Sequence, residues 1–119
     1  MQGHTRVSVI IPVYNRQALC ERALRSTLVQ TVEDLEIIVV DDGSKAAFQL
    51  PSDLEGRADV RLLRLDVNVG ESAARNAGIA AARGDWIAFL DSDDYWLPGT
   101  LGPRLARAEQ RHGRHRDPL

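Results

Sequence analysis

The sequence predicts an α/β domain with an open, mostly parallel sheet and flanking helices. Two apolar runs without polar alternation, VSVIIP (7–12) and EIIVVDDGS (36–44), are typical of strands buried on both faces of a sheet. Segments with helical spacing alternate with such runs along the chain, which is the order of parallel strands joined by crossover helices. The 119 residues fit one domain, and 44% hydrophobic residues are enough for a core, so disorder is excluded.

The first predicted helix follows the first strand. Its apolar face is formed, at helical spacing, by Leu19, Ala23, Leu24 and Leu28. Asn15 is the predicted N-cap of this helix. Cys20, the only cysteine, is predicted to pack in the core, and one cysteine excludes both a disulfide framework and a cysteine-based zinc site.

The second half of the chain continues the same alternation. A third strand is predicted at 60–66, a helix at 71–83, a fourth strand at 85–91 and a last helix from near Pro98. The pattern is weakest at 45–59, where it favours at most a short helix. The basic residues at the end of the chain lack apolar periodicity and are predicted to be frayed.

Net charge and hydropathy argue against a nucleic-acid partner and against a membrane span. A net charge of −2 gives no sign of a nucleic-acid partner. No apolar run approaches the roughly 18 residues that a membrane span needs, and the first residues lack the apolar region of a signal peptide. The predicted location is the cytoplasm, either free or peripheral to the inner face of the membrane.

The stretch AFLDSDDYW (88–96) runs from an apolar segment into three carboxylates, Asp91, Asp93 and Asp94. Two such charges ~4 Å apart repel by roughly 4 kcal/mol at an effective dielectric of about 20. Clustered carboxylates without cysteine or histidine suit a hard cation, Mg²⁺ or Mn²⁺, which is usually held together with substrate phosphates. The sequence therefore predicts a cation site rather than an ordinary turn.

Polar residues follow three of the predicted strands, at 14–15, 41–42 and 91–93. The carboxyl ends of parallel strands lie at one edge of a sheet, and ligands bind there near the point where strand order reverses. Arg75 lies in the first turns of the Ala-rich helix, where it could meet a phosphate or a base. Small residues would let this helix approach the sheet closely, namely Ala73, Ala74, Ala77 and Gly78.

Three segments, VSVIIPVYNR, EIIVVDDGS and NVGESAARNAGIAAARGDWIAFLDSDDYW, resemble in order and spacing the donor-binding half of family 2 glycosyltransferases of the GT-A fold. The resemblance covers about residues 7 to 101. It implies a nucleotide-diphosphate sugar donor, with UDP the commonest nucleotide, and a divalent metal, Mg²⁺ or Mn²⁺. Each motif is weak alone, but three in register that end in an Asp-x-Asp sequence are a specific signal.

The resemblance also implies roles for individual residues. Pro12 and Tyr14 would line the nucleoside pocket, Asp42 would bind the base and Asp41 would support the same loop. Arg75 would lie beside the nucleotide. Within the Asp-x-Asp sequence, the implied donor-binding residues are Asp91, near the ribose, and the adjoining Ser92; Asp93 is the implied metal ligand, and Asp94 would support the loop.

In the family reaction a base deprotonates an acceptor hydroxyl, which attacks the anomeric carbon with inversion. We expect residues 1–119 to form a single donor-binding domain that ends before the acceptor-binding half, so the catalytic base is not identifiable in this sequence. The acceptor could be a glycan, a lipid carrier or a protein, and a homodimer is the expected form of self-association. The sequence also departs from the family after DDGS, where the usual Asp and Thr that begin a helix are missing.

Three alternatives remain open. The first is a sugar-nucleotide-binding module without turnover, because the acceptor half is not recognised. The second is a phosphate-receiver domain, but its acidic pair would follow the first strand, and here the pair follows the second. The third is a nucleotidyltransferase, which would show a glycine-rich loop after the first strand, whereas PVYNRQ contains no glycine.

Overall fold

The fold is an α/β sheet flanked by helices, seen in a computed structural model that describes residues 4–112 and 118–119. Its elements in chain order are β1 (Val7–Val13), α1 (Gln17–Leu28), β2 (Leu35–Asp42), β3 (Val60–Leu65), α2 (Glu71–Ala81), β4 (Trp86–Phe89) and α3 (Leu101–His112). Each strand and helix corresponds to a segment predicted from the apolar pattern. The prediction for the basic end of the chain falls largely on 113–117, outside the described residues.

The four strands form one sheet in the order β3-β2-β1-β4, and every pairing is parallel. The chain builds the sheet from β1 outward to β3, then returns through α2 to place β4 on the other side of β1. The strand order therefore reverses between β1 and β4. In open α/β sheets this reversal point, at the carboxyl ends of the strands, is where ligands bind.

The two faces of the sheet are covered by different helices. On one face α2 packs on Ile10, Ile38 and Ile87. A Cβ added at Gly78 of α2 would lie 2.6 Å from the Ile10 side chain, so even an alanine at this position would require Ile10 to shift. On the other face α1 and α3 share a core that includes Leu24, Trp86 and Leu101. The sheet is thus buried on both sides, as its apolar strands predicted.

Cys20 lies in that core, as predicted, with no exposed surface. Burial, with smaller contributions from Asp41 and Glu21, raises the pKa of its thiol to about 12. A thiol that stays protonated is a poor nucleophile and a poor metal ligand. Cys20 is therefore a packing residue.

Two local predictions are wrong. Asn15 is not the N-cap of α1, because Arg16 occupies that position, and no side chain in the described part of the protein caps the helix. Asn15 instead adopts a left-handed conformation, with φ of 55°, and its Oδ1 accepts a hydrogen bond from the Lys45 N–H at 2.8 Å. Residues 45–59 form turns rather than a short helix, because the Phe48 and Gln49 N–H groups bond to side chains of Asp41 and Gln17.

No helix among the described residues is both long enough and apolar enough to cross a membrane.

Candidate donor-binding site

A cavity of about 230 Å³ opens at the carboxyl ends of the strands, where the strand order reverses. It brings together four residues that the sequence predicted for the donor site: Pro12, Tyr14, Asp42 and Ser92. The remaining lining residues are Val13, Arg16, Asn68, Gly70 and Glu71. Asp41, Arg75, Asp91 and Asp93 do not line the cavity but lie around it, at the ends of β2 and β4 and on α2.

Asp41 lies beneath the loop that follows β2 and has no exposed surface. Its two carboxylate oxygens accept hydrogen bonds from the backbone N–H groups of Ser44, at 3.0 Å, and Phe48, at 2.8 Å. Arg64, its register partner on β3, forms an ion pair with it. Burial alone would raise the pKa of Asp41, but these hydrogen bonds and the guanidinium outweigh it and lower the pKa. Asp41 therefore fixes the conformation of the loop that follows β2.

Asp42 is 3% exposed and holds a second loop. Its carboxylate accepts hydrogen bonds from the Val69 N–H at 2.8 Å, the Gly70 N–H at 3.0 Å and the Asn68 amide at 2.9 Å. The next residue, Gly43, has φ of +70°, and a Cβ there would lie 2.5 Å from the Asn68 backbone nitrogen. The turn after β2 and the segment before α2 are thereby fixed against each other, and together they form one wall of the cavity.

The loops after β1 and β2 are joined by a reciprocal pair of hydrogen bonds. The Asn15 N–H donates to the Ser44 hydroxyl at 2.8 Å, and the Asn15 side chain accepts from the Lys45 N–H. A second cavity of about 280 Å³ lies along this junction. It is lined by Val13, Asn15, Arg16, Gln17, Ser44, Lys45, Ala46 and Phe48. Arg16 and Val13 line both cavities, so the two are adjacent.

Arg75 of α2 reaches the end of β4. Its Nη2 lies 2.9 Å from a carboxylate oxygen of Asp91 and 2.8 Å from one of Glu71, and its guanidinium lies 5.6 Å from the centre of the Phe89 ring. The Arg75 Nε is buried and has no hydrogen-bond partner among the described residues. Arg75 therefore positions Asp91 and contacts Glu71, which lines the first cavity.

The acidic cluster at the end of β4 consists of Asp91, Asp93 and Asp94. One carboxylate oxygen from each can be chosen so that all three lie within 4.8 Å of one another. The Leu90 N–H donates to the Ile10 carbonyl, which places the cluster beside the end of β1. The side chains of Asp91 and Asp93 are about half exposed, at 47% and 49%. This geometry brings like charges together in solvent.

The side chains of the acidic cluster are of the chemical type that binds a divalent cation. The three groups are carboxylates, which Mg²⁺ and Mn²⁺ prefer, and their exposure leaves room for water and phosphate oxygens to complete the coordination. Arginines also contact the cluster: Arg75 is paired with Asp91, and Arg16 Nη1 lies 3.5 Å from an Asp93 oxygen. Of these two ion pairs, the one that Arg16 forms with Asp93, the predicted metal ligand, is the longer.

Arg22 of α1 supports the loop that carries this cluster. Its Nη2 donates to the Asp93 carbonyl oxygen at 3.1 Å, and its guanidinium lies 4.5 Å from the centre of the Tyr95 ring. The Trp96 N–H donates to the Ser26 hydroxyl, also on α1, at 3.0 Å. Trp96 itself is buried in the core that α1 and α3 share. These contacts hold the acidic loop against α1.

The sequence did not point to several of the residues that line the first cavity. Arg16 follows the predicted Tyr14 and Asn15 directly, so a basic residue next to a polar strand end was the available signal. Glu71 lies four residues before Arg75, a spacing that favours an ion pair on a helix. Asn68 and Gly70 are residue types that suit a tight turn before α2, and both also line the cavity.

Comparison with known proteins agrees with this geometry. Residues 8–113 match the family model described as glycosyl transferase family 2. The chain is 44% identical over 105 residues to the succinoglycan biosynthesis protein ExoO of Rhizobium meliloti, covering 87% of this chain and 30% of ExoO. It is also 44% identical over 106 residues to the uncharacterized glycosyltransferase EpsJ of Bacillus subtilis, covering 87% of this chain and 30% of EpsJ.

A similar fold occurs in crystal structures of S. aureus TarS. The TarS 1-349 structure in complex with UDP-GlcNAc superposes with a TM-score of 0.77 and 27% identity, covering 91% of this chain and 32% of that one. A structure of TarS 1-349 in complex with UDP gives the same TM-score at 28% identity, covering 91% and 33%. The chain thus spans about a third of the length of these relatives.

Proposed function

Because this chain belongs to glycosyl transferase family 2, we propose that it binds the nucleotide-diphosphate sugar of a glycosyltransferase that acts with inversion on an acceptor hydroxyl. The observation that carries this proposal is the acidic cluster beside the 230 Å³ cavity at the point where strand order reverses. A nucleoside suits the cavity and a diphosphate suits the cluster when a divalent cation is present. UDP is the proposed nucleotide, because TarS has been crystallised with UDP and UDP-GlcNAc.

Each residue around the site has a proposed task. Pro12 and Tyr14 would contact the nucleoside, and Tyr14 has 40% of its surface exposed for this. Asp42 would present a carboxylate edge to the base while it holds the loop before α2. Asp41 would keep the wall of the cavity in shape without touching the ligand.

The residues at the end of β4 would handle the ribose and diphosphate. Ser92 lines the cavity, and Asp91 lies next to it, oriented by Arg75. Asp93 would be the protein ligand of Mg²⁺ or Mn²⁺, and Asp91 and Asp94 would add to its electrostatic attraction. When bound, the divalent cation would supply positive charge to the departing diphosphate.

The proposed reaction needs groups that are not assigned to described residues. A base would take the proton of the acceptor hydroxyl, whose oxygen would bond to the anomeric carbon while the bond from that carbon to the diphosphate oxygen breaks. We propose that residues 1–119 form the donor-binding domain and that the base and acceptor platform belong to the part of the relatives that this chain does not span. The acceptor, a glycan, lipid carrier or protein, and a cytoplasmic location stay predictions.

Calorimetry tests the proposal. UDP and GDP are titrated into the protein with Mn²⁺, with Mg²⁺ and with EDTA. We expect UDP to bind with either cation and not with EDTA, because the diphosphate would otherwise meet an unscreened acidic cluster. Equal affinity for UDP in EDTA would contradict the proposed metal requirement. No binding under any condition would contradict the assignment of the donor-binding site.

A non-catalytic sugar-nucleotide-binding module is the second candidate. It is favoured by the same site together with the lack of an assigned base. A donor-hydrolysis assay with UDP-GlcNAc and Mn²⁺ separates the two, with Asp93→Ala as the inactive control. Metal-dependent release of UDP would support an enzyme, whereas tight binding without release would support the module.

A further inference from the structure

Arg16 occupies a position between the two cavities and the acidic cluster. It follows the polar end of β1 directly, precedes α1, and lines both the 230 Å³ and the 280 Å³ cavity. Among the described residues that line the first cavity it is the cationic one, and it shares that lining with Asp42 and Glu71. A positive side chain is therefore present where the nucleoside cavity meets the cluster.

The other arginines near the site are more firmly bound. Arg75 contacts two carboxylates at 2.8 and 2.9 Å, and Arg22 combines a hydrogen bond to the Asp93 carbonyl with a contact to the Tyr95 ring. Arg64 is paired with the buried Asp41. Among residues 4–112 and 118–119, Arg16 has one ion pair, to Asp93 at 3.5 Å, and both side chains are 49% exposed. A long, solvated ion pair of this kind is weak and easily exchanged.

We propose that Arg16 is a diphosphate-binding residue that leaves Asp93 for the phosphates when a divalent cation binds the acidic cluster. This rests on the proposed function and adds to it a residue that lies outside the Asp-x-Asp sequence. In the protein without ligand, Arg16 screens Asp93. In the complex, the same guanidinium meets phosphate oxygens, with which it can form two parallel charge-assisted hydrogen bonds.

The exchange follows from the charges. A divalent cation and the Arg16 guanidinium both favour the Asp93 carboxylate, so they compete for it. A diphosphate reverses the preference of Arg16, because it offers more negative charge and better geometry than one half-exposed carboxylate. Arg16 should therefore weaken the binding of the metal alone and strengthen the binding of the nucleoside diphosphate.

The test measures two affinities of the Arg16→Gln variant. Mn²⁺ alone is titrated first, and UDP is then titrated at saturating Mn²⁺. We expect the affinity for Mn²⁺ to rise about two- to fivefold, because the free energy of an exposed ion pair corresponds to a change in affinity of about that size. We expect the affinity for UDP to fall about tenfold or more, as for the loss of a charge-assisted hydrogen bond. The thermal unfolding midpoint should stay unchanged.

Arg25→Gln is the matched control. Arg25 lies on α1, the helix that Arg16 precedes, and its substitution removes the same charge, but its partner is Asp53, away from the site. Both affinities should equal those of the wild type. A rise in Mn²⁺ affinity as large as in Arg16→Gln would overturn the exchange, because it would show an effect of net charge alone.

Opposite shifts of the two affinities support the inference. An unchanged UDP affinity overturns it, and so does a loss of both affinities, which would mean that Arg16 only positions Asp93. The wild-type titration separates this inference from the proposed function. Failure of the wild type to bind UDP with Mn²⁺ refutes the proposed function itself, whereas normal wild-type binding with an unaffected Arg16→Gln variant refutes the role of Arg16 only.

Discussion

The ends of β2 and β4 both carry clustered aspartates, but their surroundings are opposite. Asp41 and Asp42 at the end of β2 are buried, and backbone N–H groups from two loops satisfy their carboxylates. The cluster after β4 is partly exposed, and its described ion pairs are to the side chains of arginines. The same residue type therefore serves two purposes within one site.

The difference shows how a carboxylate is committed to structure or left available to a ligand. A buried carboxylate with several N–H donors cannot be removed without leaving those donors unsatisfied. An exposed carboxylate with one flexible guanidinium partner loses little when that partner is exchanged. We therefore expect substitution of Asp41 at the β2 end to change stability, and substitutions at the β4 end to change binding.

The largest effect is expected for Asp93→Ala. This variant should abolish metal-dependent UDP binding in calorimetry, because it removes the proposed ligand, while the free energy of unfolding changes by less than ~0.5 kcal/mol. Asp53→Ala is the control, since it removes one exposed aspartate that is paired with Arg25 away from the site. Full metal-dependent affinity in Asp93→Ala would end its assignment as ligand.

The next effect is expected for Asp41→Ala, measured by urea denaturation. Loss of its carboxylate leaves the N–H groups of Ser44 and Phe48 and the Arg64 guanidinium without their acceptor. We expect a loss of about 2–4 kcal/mol in the free energy of unfolding. A loss no greater than that of Asp93→Ala would contradict the distinction between the two strand ends.

A third experiment extends the comparison to Glu36, a buried carboxylate of β2 at the opposite edge of the sheet. Burial alone would raise its pKa, but hydrogen bonds from the Ser8 hydroxyl, the Arg83 N–H and the Arg61 guanidinium outweigh burial and lower it. A lowered pKa contributes stability above the pKa of the unfolded chain, about 4.3, and that contribution is lost as the pH falls through the lower folded value.

We therefore expect Glu36→Gln to cost about 1–3 kcal/mol near neutral pH. The difference from the wild type should stay constant down to about pH 5 and shrink below it. Urea denaturation of both proteins between pH 7 and pH 3 measures this. A difference that does not depend on pH would mean that the carboxylate charge of Glu36 does not stabilise the fold.

The smallest effect is expected for Asp94→Asn. Asp94 belongs to the acidic cluster, and its N–H donates to the Asp91 carbonyl, which the substitution preserves. We expect a fall in Mn²⁺ affinity of about three- to tenfold, from the loss of one nearby charge, and retained UDP binding at saturating Mn²⁺. Complete loss of UDP binding would instead make Asp94 a direct ligand.

The expected homodimer is a separate prediction that light scattering tests. A sheet edge and exposed apolar side chains, Val67 and Leu97 among them, favour association. A single monomeric species at all concentrations would refute it.

The sequence by itself determined the class of fold and predicted which strand ends meet at the candidate site. Apolar runs such as VSVIIP are typical of strands buried on both faces, which predicted a parallel sheet with helices on each side and polar strand ends that meet at one edge. The family resemblance was confirmed over residues 8–113. These features depend on local pattern and on residue order, which a single sequence contains.

Only the tertiary structure decided what each carboxylate contacts. Asp42 and its donors Val69 and Gly70 lie 27 and 28 positions apart in the chain. Arg16 and Asp93 are farther apart still, and nothing in their local sequences indicates an ion pair. Asn15 is a residue type that favours the N-cap position. It instead forms hydrogen bonds with the Ser44 hydroxyl and the Lys45 N–H. Such pairings depend on which loops the folded sheet brings together, and that is set by packing over the whole domain.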